Sequence, residues 1–63
     1  MKRNALLRHV RAHGCHLKRE GRRHSLSINP VNGRVEAVPR HPEVDNQLAR
    51  NICRSLDVPV VGG

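Results

Sequence analysis

Apolar residues recur at two different intervals along this chain, and the interval changes twice. From about Arg3 to His13, Leu6, Leu7 and Val10 fall on one side of a 3.6-residue helix, with Ala5, Arg8 and Ala12 opposite. Gly14 follows, where a helix commonly leaves its last turn through the left-handed region. Cys15 to Glu20 alternates weakly, Cys15 and Leu17 against His16 and Lys18. After a turn at Gly21-Arg22, His24 to Asn29 alternates clearly, Leu26 and Ile28 against Ser25 and Ser27. Asn29-Pro30-Val31-Asn32-Gly33 reads as a hairpin loop, with Asn-Gly as its turn signal. Arg34 to Val38 is then a third strand, closed by Pro39. From Asn46, a good N-cap, the helical interval returns in the stripe Leu48, Ala49, Ile52, Cys53 and Leu56. Asp57-Val58-Pro59 ends that helix.

The predicted order is therefore α-β-β-β-α. Short connections make the strands an antiparallel meander. Each helix has one apolar stripe and the sheet needs one covered face, so the expected fold is α+β: a two-layer sandwich with both helices on one face. The other sheet face stays open to solvent or a partner. The expected core is Leu6, Leu7, Val10, Leu17, Leu26, Ile28, Leu48, Ile52, Cys53 and Leu56. Residues 1–63 form one domain, with 60–63 as a loose tail.

Size limits what such a domain can enclose. A chain of 63 residues buries only about 60% of its unfolded surface, which favours a shallow site or a cleft shared with a partner. There is no Phe, Tyr or Trp, which argues against RNA recognition by stacking bases on aromatic platforms. Backbone recognition, which needs only cations and hydrogen-bond donors, remains. The net charge is +7, and it is one-sided. Up to His24 there are eight Lys or Arg and one acid; from Ser25 on, four arginines meet four acids. That asymmetry points to an anionic polymer held mainly by the N-terminal elements. Two cysteines do not make a disulfide scaffold, and both Cys15 and Cys53 read as small buried hydrophobes. Leu6-Leu7 is too short for a signal-peptide core, and no stretch approaches membrane-spanning length. The expected setting is the cytoplasm, with no membrane contact.

The segment Gly21-Arg22-Arg23-His24 carries the candidate chemistry. A polar hairpin edge with a surface histidine would present the same residues. In a basic domain, however, arginines hold phosphate oxygens and histidine titrates near neutrality. RNA supplies its own nucleophile, the 2′-hydroxyl, so an enzyme need only take its proton, stabilise the phosphate and help the 5′-oxygen leave. His24 is the candidate general acid or base. Arg22, Arg23 and Arg40 are candidates for phosphate contact, joined by Lys18 in the RNA-binding set. His41 is either a second proton-transfer group or an RNA contact. No metal or cofactor is expected. The five acids, Glu20, Glu36, Glu43, Asp45 and Asp57, are dispersed. His9 and His13 have a zinc-compatible helical spacing, but no closely paired cysteines accompany them.

The element order is shared with double-stranded-RNA-binding domains, although this chain lacks their length and their basic helix-start motif. The chain more closely resembles the HicA toxins, also called YcfA-like mRNA interferases. The resemblance runs from Leu6-Leu7 to Pro59. It is carried by the helix before Gly14, by Gly21-x-x-His24, by Asn29-Pro30 with Gly33-Arg34, by Val38-Pro39-Arg40-His41, and by Leu48-Ala49-Arg50-x-Ile52. It implies a dsRNA-binding-domain-like fold that cleaves mRNA without a metal, using the histidine that falls at His24. It also implies a HicB antitoxin that covers the active site and makes whatever DNA contacts the pair has. Two departures stand out: Arg22 replaces the serine or glycine of many relatives, and the second strand lacks the aromatic often found there. The expected function is a toxin endoribonuclease. The alternatives are a non-catalytic RNA- or DNA-binding module and an interaction subunit that docks through its open sheet face.

Overall fold

Helix α1 (Arg3–Ala12) forms where the first apolar stripe lies, and it buries Leu6 and Val10. Three strands follow, β1 (His16–Glu20), β2 (His24–Asn29) and β3 (Arg34–Pro39), and then helix α2 (Asn46–Ser55). The computed structural model describes residues 1–60. Of the expected tail, Val60 has no regular structure, and 61–63 lie outside the described residues. No helix among the described residues is long and apolar enough to cross a membrane.

The strands form one antiparallel sheet in the order β1-β2-β3. His24 pairs with Pro39, Leu26 with Ala37 and Ile28 with Val35. On the other side of β2, His16 pairs with Ile28 and Arg19 with Leu26, with an irregularity between Leu17 and Arg19. Both helices lie against the same face, that of Ser25, Ser27 and Asn29: Arg3 of α1 donates from Nη2 to Ser25 Oγ at 2.6 Å. Asn29 Nδ2 donates to the carbonyl of Leu56, just past α2, at 2.7 Å.

Both helices end in the same way. After α1, Gly14 has φ 94°, its N–H donates to the Arg11 carbonyl, and Cys15 N–H donates to the Val10 carbonyl at 3.0 Å. After α2, Asp57 takes the left-handed role with φ 58°, and Val58 N–H donates to the Cys53 carbonyl at 3.0 Å. This paired closure satisfies carbonyls that the helix itself leaves open. It also turns Cys15 and Val58 inward, and both are buried. The start of α2 differs from expectation. The cap is Asp45, whose carboxylate accepts from the N–H groups of Gln47 and Leu48 at 3.1 and 3.2 Å. Asn46 is already the first helical residue. A charged cap of this kind also meets the positive end of the helix dipole.

The core differs from the expected set in one systematic way. Leu6, Val10, Ile52, Cys53 and Leu56 are buried as expected, together with Cys15, Val38, Val44, Ala49 and Val58. Strand β2, however, turns its serines inward. Ser25 and Ser27 are buried, while Leu26 and Ile28 lie half-buried on the open face. Leu17 and Leu48 are 47% and 39% exposed, and Leu7 is only partly buried. The reason is steric and polar together. Serines are small enough for the helical layer, with α2 packed chiefly on β3, to close over the sheet, and Ser25 donates to Glu20 while accepting from Arg3. A buried hydroxyl with partners on both sides costs little. The apolar volume comes instead from valines at strand and loop ends. One of them, Val44, is fixed by its N–H donating to the Met1 carbonyl at 2.8 Å.

Candidate functional site

The connection between β1 and β2 is short because Gly21 permits a close return of the chain. Its N–H donates to the His24 carbonyl at 2.9 Å. A Cβ at Gly21 would stand 2.9 Å from that same oxygen, closer than real Cβ atoms come to backbone. The turn throws Arg22 and Arg23 outward, and both are exposed. His24 opens β2, exposed and opposite Pro39 at the end of β3. It lies on the open face with Leu26 and Ile28, because alternate strand residues share a face.

The pairing of His24 with Pro39 brings the next residues of the chain alongside the turn. Arg40 N–H donates to the Arg23 carbonyl at 3.2 Å. Its side chain reaches back, donating from Nη1 to the Gly21 carbonyl at 2.8 Å. Its Nε lies 3.7 Å from Glu20 Oε1. Glu20 is the hub of this end of the sheet. It accepts from Ser25 Oγ and stands 3.8 Å from Arg3 Nη2. Arg3 in turn donates from Nε to the Pro39 carbonyl at 2.9 Å. The turn and the start of the β3–α2 loop are thereby tied to one carboxylate.

The result is an open cleft of about 410 Å³ walled by Arg22, Arg23, His24, Pro39, Arg40 and His41. Among the described residues, three guanidinium groups and two imidazoles line it, and no carboxylate does. Of the residues singled out from the sequence, five meet here. Lys18 does not: it sits exposed at the irregularity in β1 and forms no part of the cleft wall. Glu20, Arg3 and Ser25 had no signal in the sequence, since their side-chain contacts join positions up to 36 residues apart. Chemically, the cleft can hold a phosphodiester by planar, permanently charged donors and can offer it an imidazole for proton transfer.

The other histidines and the cysteines do different work. His9 donates from Nε2 to the Pro59 carbonyl at 2.6 Å, and His13 from Nδ1 to the His9 carbonyl at 3.0 Å. The two rings lie 4.6 Å apart. Among the described residues, no three His, Cys, Asp or Glu side chains come together as metal ligands. Cys15 and Cys53 are free and buried in the core. Burial, and then the nearby Cys53 thiol, push the Cys15 thiol above its ordinary pKa. That makes it a poor nucleophile near neutrality.

Compared with protein-family models, with curated proteins and with solved structures, the chain matches none. The function of the cleft therefore rests on its own residues.

Proposed function

We propose that this protein is a HicA-type toxin: a metal-independent endoribonuclease that cuts mRNA in the cytoplasm. The observation that supports this best is the gathering of Arg22, Arg23, His24, Arg40 and His41 around one open cleft with no carboxylate in its walls among the described residues. In this reading the arginines bind the scissile phosphate and stabilise the charge that develops on it. His24 takes the proton from the 2′-hydroxyl or delivers one to the departing 5′-oxygen. His41, another wall of the cleft, serves the complementary transfer or contacts the RNA. The products are a cyclic phosphate and a 5′-hydroxyl. The direct test is incubation of the purified protein with a long RNA and with a DNA of the same sequence, each with and without EDTA. RNA should be cut equally in both conditions and DNA in neither. Complete inhibition by EDTA, or equal cleavage of DNA, would refute the reading, because DNA has no 2′-hydroxyl.

A partner of the HicB type fits the same surface. The open face carries Leu26, Ile28, Val35 and Ala37 in two paired rows beside the His24–Pro39 row. A small acidic protein covering His24 would bury this apolar stripe as well. Charge would speed encounter and the packed stripe would set the lifetime. Co-expression should yield a stable complex in which His24 is protected from diethyl pyrocarbonate, as read by peptide mass. Failure to co-purify, or His24 as reactive in the complex as alone, would refute the pairing.

A non-catalytic RNA- or DNA-binding module would use the same cations. One observation favours it: among the described residues, the His24 ring has no hydrogen-bond partner to orient it. Substitution of His24 separates the two readings.

A further inference from the structure

We infer that the nucleic-acid track continues past the cleft into a second phosphate subsite, walled by Lys2, Arg3, Asn4, Arg40 and Pro42. This rests on the proposed RNA-cleaving function and names where the rest of the strand is held. The subsite is an open cavity of about 310 Å³. It adjoins the larger cleft, because Arg40 is a wall of both. Three of its five wall residues are cations and none is an acid. Two carboxylates stand near, but outside both cavities. Glu20 sits behind Arg3 and Arg40, 3.8 and 3.7 Å from their guanidinium nitrogens. Glu43 pairs with Lys2 Nζ at 2.9 Å.

The cavity is built, and its shape does not depend on a ligand. Arg3 N–H donates to the Pro42 carbonyl at 2.9 Å, and Lys2 bridges to Glu43 in antiparallel fashion. The start of α1 is thus bound to the loop that carries Arg40 to Pro42. Arg40 is held from behind by Glu20 and the Gly21 carbonyl, so its guanidinium is already in place between the two cavities. A guanidinium has five N–H groups, enough to serve a phosphate on either side. A strand whose scissile phosphate sits among Arg22, Arg23 and His24 would therefore lay a neighbouring phosphate against Arg40, Lys2 and Asn4.

The test uses the full chain and 2′-O-methyl RNA, which binds but lacks the nucleophile. A dinucleotide, with one phosphodiester, and an octanucleotide are titrated into the parent and into Asn4→Glu, with amide shifts as the readout. Asn4 is exposed in the first turn of α1, where a negative charge favours the helix, so this variant keeps its fold. Asn4→Glu should bind the octanucleotide several-fold more weakly and the dinucleotide as the parent does. Its salt slope for the octanucleotide should be shallower by about 0.7, one phosphate contact on a single strand. Asn4→Lys should tighten the octanucleotide alone. If Asn4→Glu binds the octanucleotide like the parent, or weakens both lengths alike, the second subsite is refuted while the cleft's own reading stands. If the parent binds neither oligonucleotide, both fall.

Discussion

Replacing His24 with alanine is expected to slow RNA cleavage by roughly 10²–10⁴-fold, the usual worth of one positioned proton-transfer group. RNA affinity should change little. The reasons are structural. His24 is exposed at the first position of β2, on the open face and outside the core. Its backbone carbonyl, which closes the Gly21 turn, is kept in any substitution. Arg22, Arg23 and Arg40 are positioned by that turn and by Glu20, not by the imidazole. The variant should therefore melt with the parent and still show steeply salt-dependent RNA binding. His24→Gln, which retains a polar side chain but cannot titrate, should lose as much rate as the alanine. Two results would refute the assignment. Full activity in either variant would leave His24 without a chemical role. A parallel loss of affinity and rate would make it an RNA contact and not the proton-transfer group.

The elements were legible because periodicity reports local geometry directly. The first helix was expected to reach His13 and ends at Ala12; the third strand was expected to end at Val38 and includes Pro39. Gly14 carried the left-handed exit in plain view. What periodicity cannot report is which face of a strand points inward. The alternation in His24–Asn29 correctly paired Leu26 with Ile28 and Ser25 with Ser27, but the rule that apolar residues face the core chose the wrong pair. The inward choice depended on Arg3 and Glu20 meeting Ser25, contacts that exist only once the helix has packed on the sheet. The same holds for the cleft. Arg22, Arg23 and His24 are neighbours in sequence and were visible together. Arg40 and His41 join them through the pairing of His24 with Pro39. Glu20 had no signal at all, since a lone acid at a strand end is ordinarily a solvated charge. The choice between Asp45 and Asn46 as cap was lost for a smaller reason: both residue types cap well, and backbone angles one position apart decide.

Ile52→Ala is expected to destabilise the fold by about 2–5 kcal/mol, the range for removing a large aliphatic side chain from a packed core. Ile52 is 1% exposed on the inner face of α2, in one cluster with Leu6, Val10, Val38 and Leu56. That cluster contains no aromatic side chain and is not cross-linked, because Cys15 and Cys53 are free. Domains of ordinary size are stable by only about 5–15 kcal/mol, and short chains bury the smallest share of their surface. The variant should therefore be largely unfolded or close to it, with its denaturation midpoint far below the parent's. Leu48→Ala supplies the contrast. Leu48 belongs to the same sequence stripe, yet it is 39% exposed, so its truncation should cost clearly less, since less apolar surface leaves the interior and no enclosed cavity is left behind. Denaturant titrations of the two variants side by side decide the matter. Equal losses would mean that α2 is rotated toward the face its stripe alone implies, with Leu48 packed inward. An Ile52→Ala protein as stable as the parent would place the core elsewhere altogether.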